Sequence, residues 1–103
     1  MEHMTEAERV GALVLGLKVT RSQAVILDTL RRANGRVVSQ DGLRSALYAL
    51  ESKEPESNVI SVQVYQLRRR FGHGEIVTAG RVCGYALTPK GIARVDAGLR
   101  ATG

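Results

Sequence analysis

Apolar residues recur at helical spacing in five segments of this chain, and strand-like sequence is limited to a short piece at Arg36–Val38 and a longer stretch near its end. That order leaves few folds open. The most constrained segment runs from Ser57 to Phe71, where Ile60, Val64, Leu67 and Phe71 fall at i, i+4, i+7 and i+11 and make one apolar stripe. The opposite side carries Asn58, Val62, Tyr65, Gln66 and Arg69, with Arg68 and Arg70 on the two flanks. One face is suited to packing, and the other can hydrogen-bond and attract phosphate.

The remaining segments read as follows. Thr5-Glu6-Ala7-Glu8 has the form of a capping box, and Val10, Leu13, Val14 and Leu17 follow at helical spacing, so a short N-terminal helix is expected. Gly11 and Gly16 weaken it. Thr20 is expected to cap a helix reaching about Ala33, with Ala24, Leu27 and Leu30 facing one way, Ile26 and Ala33 flanking them, and Asn34-Gly35 as the stop. Arg36-Val37-Val38 reads as a short extended piece. Ser39 can cap the next helix, in which Leu43, Ala46, Leu47 and Leu50 share a face and Asp41 lies in the first turn, where the helix dipole favours a carboxylate.

Glu51 to Glu56 is polar, net acidic and interrupted by Pro55, which predicts an exposed loop. Ser57 is expected to cap the helix described first, and Gly72-His73-Gly74 to end it. Glu75–Thr78 and Tyr85–Leu87 read as two strands joined by Ala79–Gly84, hence a hairpin. Thr88-Pro89 then starts a last helix with Ile92, Val95 and Leu99 on one side.

This order predicts an α+β, mostly α architecture: a winged helix-turn-helix, with a three-helix core and a C-terminal β-hairpin wing, plus an additional helix at each terminus. The expected units are an N-terminal extension over 1–19, the winged helix-turn-helix over 20–87 and a C-terminal helix over 88–103. In such a fold the third helix of the core enters the major groove and the hairpin lies along the backbone.

At 103 residues with 44% apolar content, the chain has material for one small core. The formal charge is +5 and the pI is near 10.0, in the range of nucleic-acid-binding domains. Twelve of the fifteen cations are arginine, whose planar fork suits phosphates and guanine edges. No apolar run reaches the length of a membrane span, and the N-terminus lacks a signal-peptide pattern. Met4 offers a second start, so His3 is given no role. Cys83 is the only cysteine, which excludes an intrachain disulfide and gives no basis for a thiolate metal site. The simplest compartment is a reducing cytoplasm, with the chain associated with the nucleoid.

From about Thr20 to Leu87 the chain resembles the winged-helix effector domain of OmpR/PhoB-type response regulators. The family's V-D-V-H-I-x-R-L-R-R-K-L run is matched by Ile60 to Phe71, and its T-V-R-G-x-G-Y wing by Ala79-Gly80-Arg81-Val82-Cys83-Gly84-Tyr85. Ser61, Gln63 and Gln66 stand where the family carries an acidic residue, His and Arg, so the operator is expected to differ. Val82 replaces a wing glycine and Gly80 a valine. The 103 residues hold no match to the family's receiver domain, so a stand-alone regulator of phage or bacterial accessory-element type is expected.

The resemblance implies a sequence-specific transcriptional regulator whose partner is double-stranded DNA, with helix 57–71 in the major groove and wing 75–87 on the backbone or minor groove. Candidate base contacts are Asn58, Val62, Gln63, Tyr65, Gln66 and Arg69. Gln and Asn suit the adenine edge, Arg suits guanine, and Val62 suits a thymine methyl. Candidate phosphate contacts are Ser39, Arg68, Arg70 and Arg81, which set register and affinity. For Ser39 a plain N-cap is the fuller account. Against the whole set stands the alternative of a solvated polar face.

No catalytic or cofactor motif is present, and His73 with Cys83 does not make up a metal site. No cofactor, metal or enzyme activity is therefore expected. The rival reading is a winged-helix protein–protein adaptor, contacting RNA polymerase or another regulator through the acidic loop 51–56. A homodimer is also open, because Leu13 and Leu17, and Val95 and Leu99, offer apolar stripes on the terminal helices. Those stripes would equally serve to cover the domain's own core.

Overall fold

The computed structural model of the protein describes residues 4–51, 58–79 and 84–101. Within them the elements follow as α1 (Glu6–Leu17), α2 (Arg21–Arg32), β1 (Val38–Ser39), α3 (Gln40–Glu51), α4 (Val59–Phe71), β2 (Ile76–Ala79), β3 (Gly84–Leu87) and α5 (Pro89–Ala101).

Four of the five helices begin at a hydroxyl that the sequence singles out. Thr5 Oγ1 accepts from Glu8 N, and Glu8 Oε1 in turn accepts from Thr5 N, both at 3.1 Å. Thr20 and Gln23 repeat this reciprocal pair at 3.2 and 3.1 Å. Ser39 Oγ accepts from Gly42 N at 3.0 Å, and Thr88 Oγ1 accepts from Gly91 N at 3.2 Å. Each bond satisfies a first-turn N–H that has no partner within the helix. Helix α4 differs. Its N-cap position is Asn58, whose side chain makes no capping bond, and the expected cap Ser57 lies outside the described residues.

Helix α2 forms the centre of the molecule. Ala24, Val25, Ile26, Leu27 and Leu30 are all buried, so the inward face is wider than the stripe the sequence suggests. The reason is that α1, α3, α4, α5 and β3 all pack on this one helix. Even Asp28 is only 1% exposed. Its carboxylate accepts from Arg9 Nε at 2.8 Å and pairs with Arg32 Nε at 3.3 Å, so the buried charge is compensated.

The terminal helices close over this centre. Val10 and Leu13 of α1 and Val95 and Leu99 of α5 belong to the same core cluster as the α2 residues, with Leu17 partly buried against it. The stripes that the sequence leaves free for a second copy are thus spent inside the fold, because α1 packs mainly on α5 and α2. The crossing is tight at Gly16, where an added Cβ would stand 2.2 Å from the Gly98 carbonyl oxygen. Gly16, a weak point by helix propensity, is what permits the close approach.

The three strands form one antiparallel sheet in the order β1-β3-β2. Val38 pairs with Tyr85, and Thr78 pairs with Tyr85 from the other side. Strand β1 lies further along the chain than expected, leaving Arg36 and Val37 out of the ladder. Strand β2 starts at Ile76 and not at Glu75. Glu75 is instead buried against α5, where its carboxylate oxygens both accept from Arg94 Nε at 2.6 Å. Gly84 allows β3 to run close beside β1: a Cβ there would lie 2.8 Å from both Val37 Cγ1 and the Val38 carbonyl oxygen. The result is a winged-helix α+β fold with a helix packed on at each end.

Candidate nucleic-acid interface

Helix α4 buries Ile60, Val64 and Leu67 and turns its other side outward. At 100° per residue, Asn58, Val62, Tyr65, Gln66 and Arg69 share an outward arc of roughly 100°. Val62 is 40% and Tyr65 59% exposed, so both are open to a partner on this face. The Arg69 guanidinium lies 5.9 Å from the Tyr65 ring centroid, a cation–π stack that reduces the freedom of both groups. Asn58 is exposed at the start of the helix, with its backbone carbonyl accepting from Ser61 Oγ at 3.1 Å.

Gln63 sits off this arc. It is half-buried, and its Oε1 is enclosed with no hydrogen-bond partner among the described residues. Gln66 is exposed but not loose: its Oε1 accepts from Gln23 Nε2 at 3.1 Å. Gln23 was not a candidate from sequence, and it lies 43 residues from Gln66 along the chain. Thr20 alone is expected there as an N-cap; the spacing Thr20-x-x-Gln23 has the form of a capping box and could have marked Gln23 as a helix-start residue, but nothing local marks its second contact.

The flanking arginines separate into different jobs. Arg68 donates from Nε and Nη2 to the Ile76 carbonyl oxygen at 3.1 and 3.0 Å, and from Nη2 to Thr78 Oγ1 at 2.8 Å. It also lies 5.6 Å from the Tyr85 ring centroid. Its fork is therefore committed to the wing strands. Arg70 Nη1 donates to the Lys18 carbonyl oxygen in the turn between α1 and α2, where Lys18 is left-handed with φ 56°. Arg68, Arg69 and Arg70 all lie in the last turn of α4, where the helix dipole favours cations.

Ser39 is exposed and its hydroxyl caps α3, as its plain reading requires. Arg81 and Cys83, expected at the wing tip, and residues 52–56, expected as a loop, lie outside the described residues. His73 is exposed in the turn after α4. Elsewhere four arginines are structural: Arg9 and Arg32 hold Asp28, Arg31 holds Asp96 at 2.7 Å, and Arg94 holds Glu75. Net charge thus overstates the cations available to a partner. Among the described residues no single helix is long and apolar enough to cross a membrane.

A three-helix core, a helix with an exposed polar and basic face, and a hairpin tied to that helix define a winged-helix DNA-binding domain. The family model described as "Transcriptional regulatory protein, C terminal" matches residues 16–87. The chain belongs to this family of OmpR/PhoB-type effector domains, and it is a DNA-binding transcriptional-regulator domain. Searches of curated proteins and of solved structures gave no significant match.

Proposed function

We propose that the protein recognises specific double-stranded DNA sequences in the cytoplasm, with α4 in the major groove and the β2–β3 hairpin along the neighbouring backbone. The observation that carries this reading is the outward arc of α4, where Tyr65 and Arg69 are stacked and exposed and Gln66 is held in place. Val62, Tyr65, Gln66 and Arg69 are assigned to base edges, with Asn58 at the entry of the helix and Gln63 at the margin. Arg70 and the wing-tip Arg81 are assigned to phosphates. Arg68 is assigned to holding the wing, with phosphate contact secondary to that.

Binding-site selection on the purified protein at moderate salt tests this. An enriched motif is expected, and Arg69→Ala should lose preference at one base step by about 1–3 kcal/mol. Arg81→Ala should weaken binding evenly across sequences. A selection that returns no motif would overturn sequence-specific recognition. DNA binding that ignores salt would overturn the phosphate contacts.

A further inference from the structure

Gln23 is a buried polar side chain with two polar contacts, one at each end of its amide. Its Oε1 accepts from the backbone N–H of Thr20 at 3.1 Å, and its Nε2 donates to Gln66 Oε1 at 3.1 Å. The direction of this relay follows from chemistry alone. A backbone N–H can only donate, so the Gln23 atom facing Thr20 must be the oxygen. The atom facing Gln66 is then the NH2 group, and Gln66 must meet it with its own oxygen. The exposed Gln66 amide is thereby fixed in one of its two flip states, with both N–H donors and one remaining oxygen lone pair directed away from Gln23.

We propose that Gln23 is a positioning residue for DNA specificity: it sets the base pair that Gln66 reads without touching DNA. The inference rests on the major-groove docking of α4 given above. A glutamine held this way presents a donor and an acceptor in a defined order, which suits the N7 acceptor and N6–H donor of adenine. An unheld glutamine would flip freely and discriminate less. The capping box fixes the order one step further back, so the same bond that starts α2 determines the polarity of a side chain on α4.

The substitution Gln23→Glu isolates this role. A carboxylate still accepts from the Thr20 N–H, so the cap and the fold are retained. It has no proton to give to Gln66, however, so Gln66 must turn its NH2 inward and its oxygen outward. Binding-site selection on wild type, Gln66→Ala, Gln23→Ala and Gln23→Glu, with thermal melts to monitor folding, gives the test. The wild type should enrich one base pair at a step that Gln66→Ala erases. Gln23→Ala should lower discrimination at that step about tenfold and leave the other positions unchanged. Gln23→Glu should change which base pair is preferred there. The same base pair enriched by wild type and Gln23→Glu would overturn the proposal. A wild-type motif with no step sensitive to Gln66→Ala would also overturn it while leaving DNA recognition intact. No wild-type motif at all would instead remove the docking reading beneath it.

Discussion

Gly16 of α1 and Gly98 of α5 meet backbone to backbone: a Cβ on Gly16 would lie 2.2 Å from the Gly98 carbonyl oxygen and 2.9 Å from its carbon. Two terminal helices, far apart in sequence, are thereby built into one core. A side chain at Gly16 can be accommodated only by moving a backbone, whereas one at Gly98 would meet the movable side chain of Leu17 at 2.6 Å.

Gly16→Ala should therefore destabilise the protein by about 1–3 kcal/mol despite the better helix propensity of alanine. Gly98→Ala should cost less. Gly11→Ala should stabilise by about 0.5–1 kcal/mol, because nothing lies within 4 Å of its added Cβ. Urea unfolding of the three variants checks the ranking, and equal effects at Gly11 and Gly16 would contradict the crossing.

Asp28→Asn should destabilise by about 2–4 kcal/mol, since it leaves Arg9 and Arg32 without the carboxylate they share. Asp96→Asn removes the partner of Arg31 at a more exposed site, where the pair is worth about 1 kcal/mol or less. Chemical denaturation of both variants gives the comparison, and a smaller loss at Asp28 than at Asp96 would refute it.

Arg68→Lys keeps the charge but cannot reproduce the fork onto the Ile76 carbonyl and Thr78 Oγ1. The expected outcome is faster amide exchange in β2, a stability loss of about 1–2 kcal/mol and weaker DNA binding with an unchanged salt slope. A variant that binds like wild type would show that the fork is dispensable for holding the wing.

The Glu8 carboxyl is held below its ordinary value of 4.5 by the Thr5 backbone N–H first and the Thr5 side chain second. A depressed folded-state value means that the stabilisation is present above the unfolded value and is lost as pH falls through the folded one. The first turn of α1 should accordingly loosen below about pH 4.5, and Glu8→Gln should remove that dependence. Amide exchange at Glu8 and Arg9 between pH 6 and pH 3 follows it, and identical profiles for the two proteins would contradict the assignment.

What could be read from sequence was local. The capping hydroxyls Thr5, Thr20, Ser39 and Thr88 act within three residues of themselves, so spacing revealed them, and the α4 stripe needed only helical periodicity. What escaped was set by distant partners. The wide burial of α2 depends on how many elements surround it, and periodicity records only one face. Gly16 looked like a defect because its benefit lies on α5. The arginines looked available for a ligand because Asp28, Glu75 and Asp96 are scattered in sequence and converge only on folding. Gln66 is legible as a polar residue on the outward face of its helix, while its hydrogen-bond donor Gln23 lies 43 positions away.

The sheet order has a kinetic corollary. Strand β3 supplies the neighbour of both β1 and β2, so Val38 and Ser39 have no strand partner until the chain has been made past Tyr85. On a ribosome the helices α2 to α4 would emerge and begin to pack with that edge still bare. The pairing of β1 therefore waits on β3, and α5, made after β3, then packs on α1 and α2. If these non-local pairings form late in folding, a defect at Gly84 should speed unfolding and leave the folding rate nearly untouched.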